Sequence, residues 1–244
     1  MLGSAFLRFV GGHFTVKAAI AFIVAVMGII ATCLVISWQL YETCSGGGEF
    51  NLVDYQISFL GDPLTNPCGH HLFTATLWTL GCAAVPLLSF YRRALAALEA
   101  RVAGVFTFFF ALGIPAMFVV GIVPWSLDPD VHIISAGMAF GGAGVAYLLA
   151  GIGIIIARVR DRAGKIPASL VMPFLVYVPF VILGIWVQMG NYLEYGRVYN
   201  VGESWRSFLL WEWLLFFAVL SMCASTTIAL ARPARSRAKP TRER

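Results

Sequence analysis

The chain has 244 residues, of which 59% are hydrophobic and only 12% charged, against roughly a quarter charged in an ordinary soluble domain. A soluble fold cannot hide that much apolar surface, so the composition excludes a water-soluble globular protein and points to a membrane. The net charge of +5 averages two unlike faces, which become visible once the apolar segments are placed.

Residues 1–17 carry Leu2, Phe6, Leu7, Phe9 and Phe14 among glycines and the basic residues Arg8 and Lys17. That pattern suits a segment lying in a membrane interface, and equally a loose terminus. Six predominantly apolar stretches follow, at 18–40, 70–91, 102–123, 132–157, 169–190 and 207–231. Each reaches the roughly 20 residues a helix needs to cross a hydrocarbon core of about 30 Å. Lipid offers backbone groups no partner, and the stretches lack the period-two alternation of a barrel, so they are expected to be helices. The fold expected is an all-α, six-helix transmembrane bundle in one domain, 18–231, followed by a basic tail at 232–244.

All but Arg197 and Arg206 of the 17 lysines and arginines fall on one side of these spans, and of the 12 acidic residues only Glu99, Asp161 and Glu243 share that side. The positive-inside rule then places both termini in the cytoplasm of an inner or plasma membrane. On such a chain the basic tail fixes topology and touches anionic lipid, so no nucleic-acid partner is expected. The first span is too long for a signal peptide and no small-residue cleavage site follows it, so it should be retained. Trp38, Trp125, Trp186, Trp205, Trp211 and Trp213 mark the outer interface, and Trp78 alone lies deeper.

The connection from 41 to 69 is the longest on the outer side. Gly46, Gly47 and Gly48 open it, and residues 50–60 are apolar enough to lie on the membrane or tuck between helices. Loops longer than about 12–15 residues are usually functional or disordered, and this composition argues against disorder. Cys44 and Cys68 both lie here, so an oxidising compartment would allow a disulfide. Cys33, Cys82 and Cys223 sit inside spans as small packing residues. Further along, Pro115 interrupts the third span, and Pro173 and Pro179 the fifth. Asp128-Pro129-Asp130 reads as a helix start, with Asp128 at the cap, Pro129 at the first position and Asp130 at the positive end of the dipole. Gly137 and Gly141 form a Gly-x-x-x-Gly pair that permits close helix approach, and Ser204 is a cap for the last helix.

Ionisable side chains gather at the outer ends: His70 and His71, His132, Glu194, and Glu212 within the last span. Imidazole and carboxylate are the groups that hold zinc or do acid-base work. His70, His71 and His132 are therefore candidate ligands for zinc, and His132, Glu212 and Asp130 candidate catalytic groups. His70, His71, His132, Glu194 and Glu212 are the candidate binding set. Capping explains Asp130 without chemistry, and neighbouring histidines on a helix point apart. Glu212 is the hardest to dismiss, because a carboxylate below the interface is costly unless paired or facing a wet interior. If helices two, four and six face one another, these groups line one outward cavity. No His-Glu-x-x-His, Cys-x-x-Cys, phosphate loop or Gly-x-Ser-x-Gly motif is present.

Ile57-Ser58-x-x-Gly61, then Asn66-Pro67 and Leu72-Phe73, together with Gly121-x-x-Pro124 and His132 before a glycine-rich helix, resemble the bacterial and archaeal membrane family called domain of unknown function 998. The likeness spans most of 18–231. More distantly the chain is similar to the FRAG/DRAM/SFK group of six-helix proteins, which are linked to lipid remodelling. Where the family has Phe-Pro with an acid close behind, this chain has Val123-Pro124 and the later Asp128. The resemblance implies the six-helix fold and an outer-face site rather than a reaction. The expectation is a membrane protein with an outward polar cavity that binds or handles a lipid. The alternatives are a membrane-embedded, metal-dependent lipid hydrolase and, for want of charge deeper in the spans, less readily an ion or solute transporter. Oligomeric state is left open by the sequence.

Overall fold

The computed structural model describes residues 2–44, 50, 56–160, 166–195 and 207–231, and among these there is no strand. The helices are α1 (Leu2–Val10), α2 (Val16–Cys44), α3 (His70–Ala96), α4 (Ala100–Ile122), α5 (Pro129–Ala136), α6 (Gly142–Arg160), α7 (Ala168–Tyr195) and α8 (Phe208–Ala231). A 3₁₀ turn at Ile57–Gly61 precedes α3, and a π turn at Gly137–Gly141 joins α5 to α6. Six spans are long and apolar enough to cross a membrane: α2, α3, α4, the continuous α5–π–α6 rod, α7 and α8. The chain thus has the architecture of a multi-pass membrane protein.

Successive spans pack side by side, α2 with α3, α3 with α4, α4 with α6, α6 with α7 and α7 with α8, and α8 closes the ring against α2. The centre is filled by fully buried Tyr91, Phe106, Tyr147, Leu170 and Phe174. Their phenols are satisfied across helices: Tyr147 donates to the Tyr91 oxygen at 3.1 Å, and the Tyr91 and Thr227 hydroxyls lie 2.7 Å apart. Thr227 donates in turn to the Cys223 carbonyl at 2.7 Å.

Local chemistry sets the helix starts. Asp128 accepts the Val131 N–H at 3.1 Å with Pro129 at the first position, as a cap should. Glu99 does the same for α4. The N-terminal segment is a helix rather than a loose end. It turns at Gly12, where φ is +67° and a Cβ would stand 2.5 Å from the Phe90 nitrogen, so only glycine fits. Arg93 donates to the Gly11 and Gly12 carbonyls and pins this turn against the end of α3. Phe9, Phe14, Phe22 and Phe90 stack around it, with centroids 5.3–5.7 Å apart.

The close helix contact in the glycine-rich rod does not fall where the Gly-x-x-x-Gly pair predicts. A Cβ at Gly142 would lie 2.9 Å from the Phe109 carbonyl, and one at Gly113 only 2.8 Å from the Ala139 carbonyl, so α4 and α6 meet there backbone to backbone. At Gly137 and Gly141 a Cβ would find nothing within 4 Å. Both glycines lie in the π turn, off the α4 contact.

Candidate functional site

The 57–73 stretch ties the ends of α2, α3 and α8 to the turn between α4 and α5. Cys44 and Cys68 are joined as a disulfide, with Cα atoms 6.2 Å apart. Asn66 is fully buried, and its amide nitrogen donates to the Ser37 carbonyl and hydroxyl and to the Leu60 carbonyl at 2.9–3.1 Å. Its amide oxygen accepts the Gly69 N–H at 3.0 Å. Asp62, also buried, accepts from the Ser126 N–H at 2.9 Å and hydroxyl at 2.7 Å, and from the Leu64 N–H at 2.8 Å. One carboxylate thereby ties the loop to the α4–α5 turn. Ile57 and Leu60 are buried with Phe73, Leu77 and Trp213, so this part of the loop is tucked between helices, one of the two placements its composition allows.

This stapled loop is the roof of a cavity of about 640 Å³, within the range of ligand pockets. Its walls are α5 with the π turn, α7 and α8, and the 3₁₀ turn contributes Gln56, Ile57 and Ser58. The lining is dominated by apolar side chains such as Phe140, Val181, Leu215 and Phe216. Gly137 and Gly141 face it, which accounts for the open space at both. Ile133, Ile185 and Met189 line the cavity while being 41%, 53% and 55% exposed. The cavity is therefore a cleft whose apolar rim lies on the outside of the bundle.

Two polar groups end the cleft. His132 is buried on α5, and its Nδ1 lies 2.8 Å from the Val123 carbonyl. A carbonyl only accepts, so Nδ1 carries a hydrogen, and Nε2 is the ring nitrogen left to meet a ligand. Trp125 stands edge-on to this ring at 6.1 Å. Glu212 lies four residues into α8, so about 6 Å along the axis from its start. That is shallower than a start at Ser204 implies; Ser204 itself lies outside the described residues. One Glu212 oxygen accepts the Ile57 N–H at 3.2 Å. Among the described residues Glu212 makes no other hydrogen bond and no ion pair.

Of the residues singled out from sequence, the fold brings His132 and Glu212 to one cavity. It does not bring His70 or His71 there, because α7, not α3, forms the third wall. His70 Nδ1 instead sits 3.1–3.2 Å from the Asn66 and Pro67 carbonyls, with the His71 ring 3.7 Å away. Asp130 is exposed at the head of α5 and does not line the cleft. Glu194 belongs to α7, but its side chain lies outside the described residues. A zinc site needs three or four protein ligands, and no three His, Cys, Asp or Glu side chains group together among the described residues. The expected set of His70 or His71 with His132 is thus not assembled.

Sequence reasoning missed Asp62 and Asn66 as fasteners, and Gln56, Gly184 and the π-turn glycines as cleft elements. Asn66 had a signal in the Asn66-Pro67 piece of the resemblance, whereas Asp62 is one of four acids in the 41–69 connection and nothing set it apart. Gly184 matters because the Trp211 ring lies against it, 2.9 Å from where a Cβ would stand. Comparison with family models, with curated proteins and with solved structures gave no match to this chain.

Proposed function

We propose that this protein resides in the inner or plasma membrane and binds a membrane amphiphile, a lipid or lipid-like molecule, in the cleft between α5, α7 and α8. The carrying observation is the apolar rim: Ile133, Ile185 and Met189 both line the cleft and face outward from a spanning bundle. An apolar rim on a membrane helix borders hydrocarbon, so a ligand enters sideways from the bilayer. The basic residues favour cytoplasmic termini. That puts the cleft in the outer leaflet, on the side where a Cys44–Cys68 disulfide persists. Ser58 and His132, two of the residues behind the resemblance to domain of unknown function 998, are among those that line this cleft.

The test is photolabelling in nanodiscs with a C16 lipid carrying a diazirine near its polar end. Label should concentrate on peptides from α5, the π turn and α7. Gly141→Leu, which fills space where nothing lies within 4 Å, should cut it at least fivefold without lowering the melting temperature. Label spread evenly around the bundle and indifferent to Gly141→Leu would refute the proposal.

The hydrolase alternative draws on His132, whose Nε2 remains available as a base. It needs a nucleophile or water-activating partner beside that nitrogen, and among the described residues His132 hydrogen-bonds neither Ser58 nor Glu212. Fatty-acid release from an ester or amide lipid, abolished by His132→Ala, would favour it over binding.

A further inference from the structure

The polar end of the cleft presents two acceptors, beside the neutral donors of Gln56, Trp125 and Trp211 that also line it. Glu212 offers a carboxylate oxygen that no described residue engages, the other being taken by Ile57 N–H. His132 commits its Nδ1 hydrogen to the Val123 carbonyl, so in the neutral form of the ring Nε2 is an acceptor. The Ser58 hydroxyl, a potential donor, is turned to the Gln56 side-chain oxygen at 3.2 Å. No lysine or arginine lines the cleft among the described residues. A carboxylate in an apolar wall without a cation is unfavourable, and a phosphate or carboxylate headgroup placed beside it would be repelled. Trp125, Trp211 and Phe216 line the same cleft, and aromatic rings attract cations.

From this juxtaposition of unfilled acceptors, aromatic rings and no cation among the described residues, we infer that the cleft selects an amphiphile whose polar end bears a primary ammonium. That group supplies the positive charge Glu212 lacks and N–H donors for both Glu212 and His132. A quaternary ammonium brings the charge without donors, and an alcohol brings a donor without charge. The inference rests on the binding proposed above and narrows it to a headgroup chemistry.

The experiment is displacement of the photolabel in nanodiscs of uncharged lipid by hexadecylamine, hexadecyltrimethylammonium, hexadecanol or hexadecanoic acid, with water-soluble ethanolamine as a fifth competitor. Hexadecylamine should displace at a mole fraction at least tenfold below the alcohol and the trimethyl compound. The acid should be weakest, and ethanolamine should not compete. In Glu212→Gln the amine should lose its advantage and displace the label at a mole fraction within twofold of the alcohol's. Equal displacement by all four amphiphiles would leave binding standing and overturn the ammonium inference. Equality of the amine and trimethyl compounds would overturn the donor requirement, and competition by ethanolamine would assign the site to a free amine. Arg206 lies outside the described residues, so Arg206→Ala is the control for a counter-ion from the chain itself. Amine occupancy unchanged in that variant supports the inference, and occupancy raised above wild type overturns it. Loss of all labelling in the wild type would instead defeat the binding proposal.

Discussion

Gly141 and Gly142 are neighbours in one spanning rod, yet alanine should act on them in opposite directions. Replacing glycine by alanine inside a helix gains about 0.8–1.0 kcal/mol in propensity. At Gly141 nothing opposes that gain, because the new Cβ meets no atom within 4 Å. Gly141→Ala should therefore stabilise by up to about 1 kcal/mol. At Gly142 the Cβ would stand 2.9 Å from the Phe109 carbonyl and 3.2 Å from the Gly113 nitrogen. Both are backbone atoms that cannot rotate away, so α4 and α6 must separate. Overpacking of this kind costs about 1–3 kcal/mol. Less the same propensity gain, Gly142→Ala should destabilise by about 0–2 kcal/mol, and the two variants should differ by about 1–3 kcal/mol. The assay is thermal melting in detergent, read as Cys33 and Cys223 become reactive to a thiol dye. If Gly141→Ala melted below wild type while Gly142→Ala did not, the close contact would lie at the Gly-x-x-x-Gly pair. The explanation of those glycines as cleft lining would then fail.

Asp62→Ala leaves two N–H groups and a hydroxyl without their acceptor, and bonds to a charged group are worth about 1.5–3 kcal/mol each. Water reaching the vacated space recovers part of this, so a loss of about 2–4 kcal/mol is expected. Asp62→Asn keeps one acceptor oxygen and should lose roughly half as much. Melting temperatures should fall in the order wild type, Asp62→Asn, Asp62→Ala, and an inverted order of the two variants would show that Asp62 does not fasten the loop to Ser126. The Cys44–Cys68 bond closes 24 residues, for which loop entropy predicts a loss of about 3 kcal/mol on reduction. Mass spectrometry of the denatured protein should find three alkylated cysteines before reduction and five after, matching the three free thiols. Five alkylated thiols in unreduced protein purified under air would show that the bond does not form.

Sequence alone determined the features that obey local or bulk rules. Hydrocarbon thickness and the need to satisfy backbone groups inside lipid make six apolar runs of this length into six helices, and each run matches a span of the structure. Asp128 caps α5 because a cap acts within one turn. Phe50, Ile57 and Leu60 pack among the helices because their side chains are too apolar for water. What only the tertiary structure decided is which side of each helix meets which neighbour. His70 and His71 stand at the same bundle end as His132, yet α7 and not α3 completes the cleft. The close glycine contact with α4 falls at Gly142, just past the π turn, while Gly141 meets no atom within 4 Å. Asp62 finds Ser126 across 64 positions of chain, and Ile57 finds Glu212 across 155. In an apolar helix nearly every face can border either lipid or another helix, so hydrophobic periodicity, which assigns the buried face of a soluble helix, carries little information here. Backbone proximity and side-chain packing make that choice, and with it the cleft at Glu212 and His132.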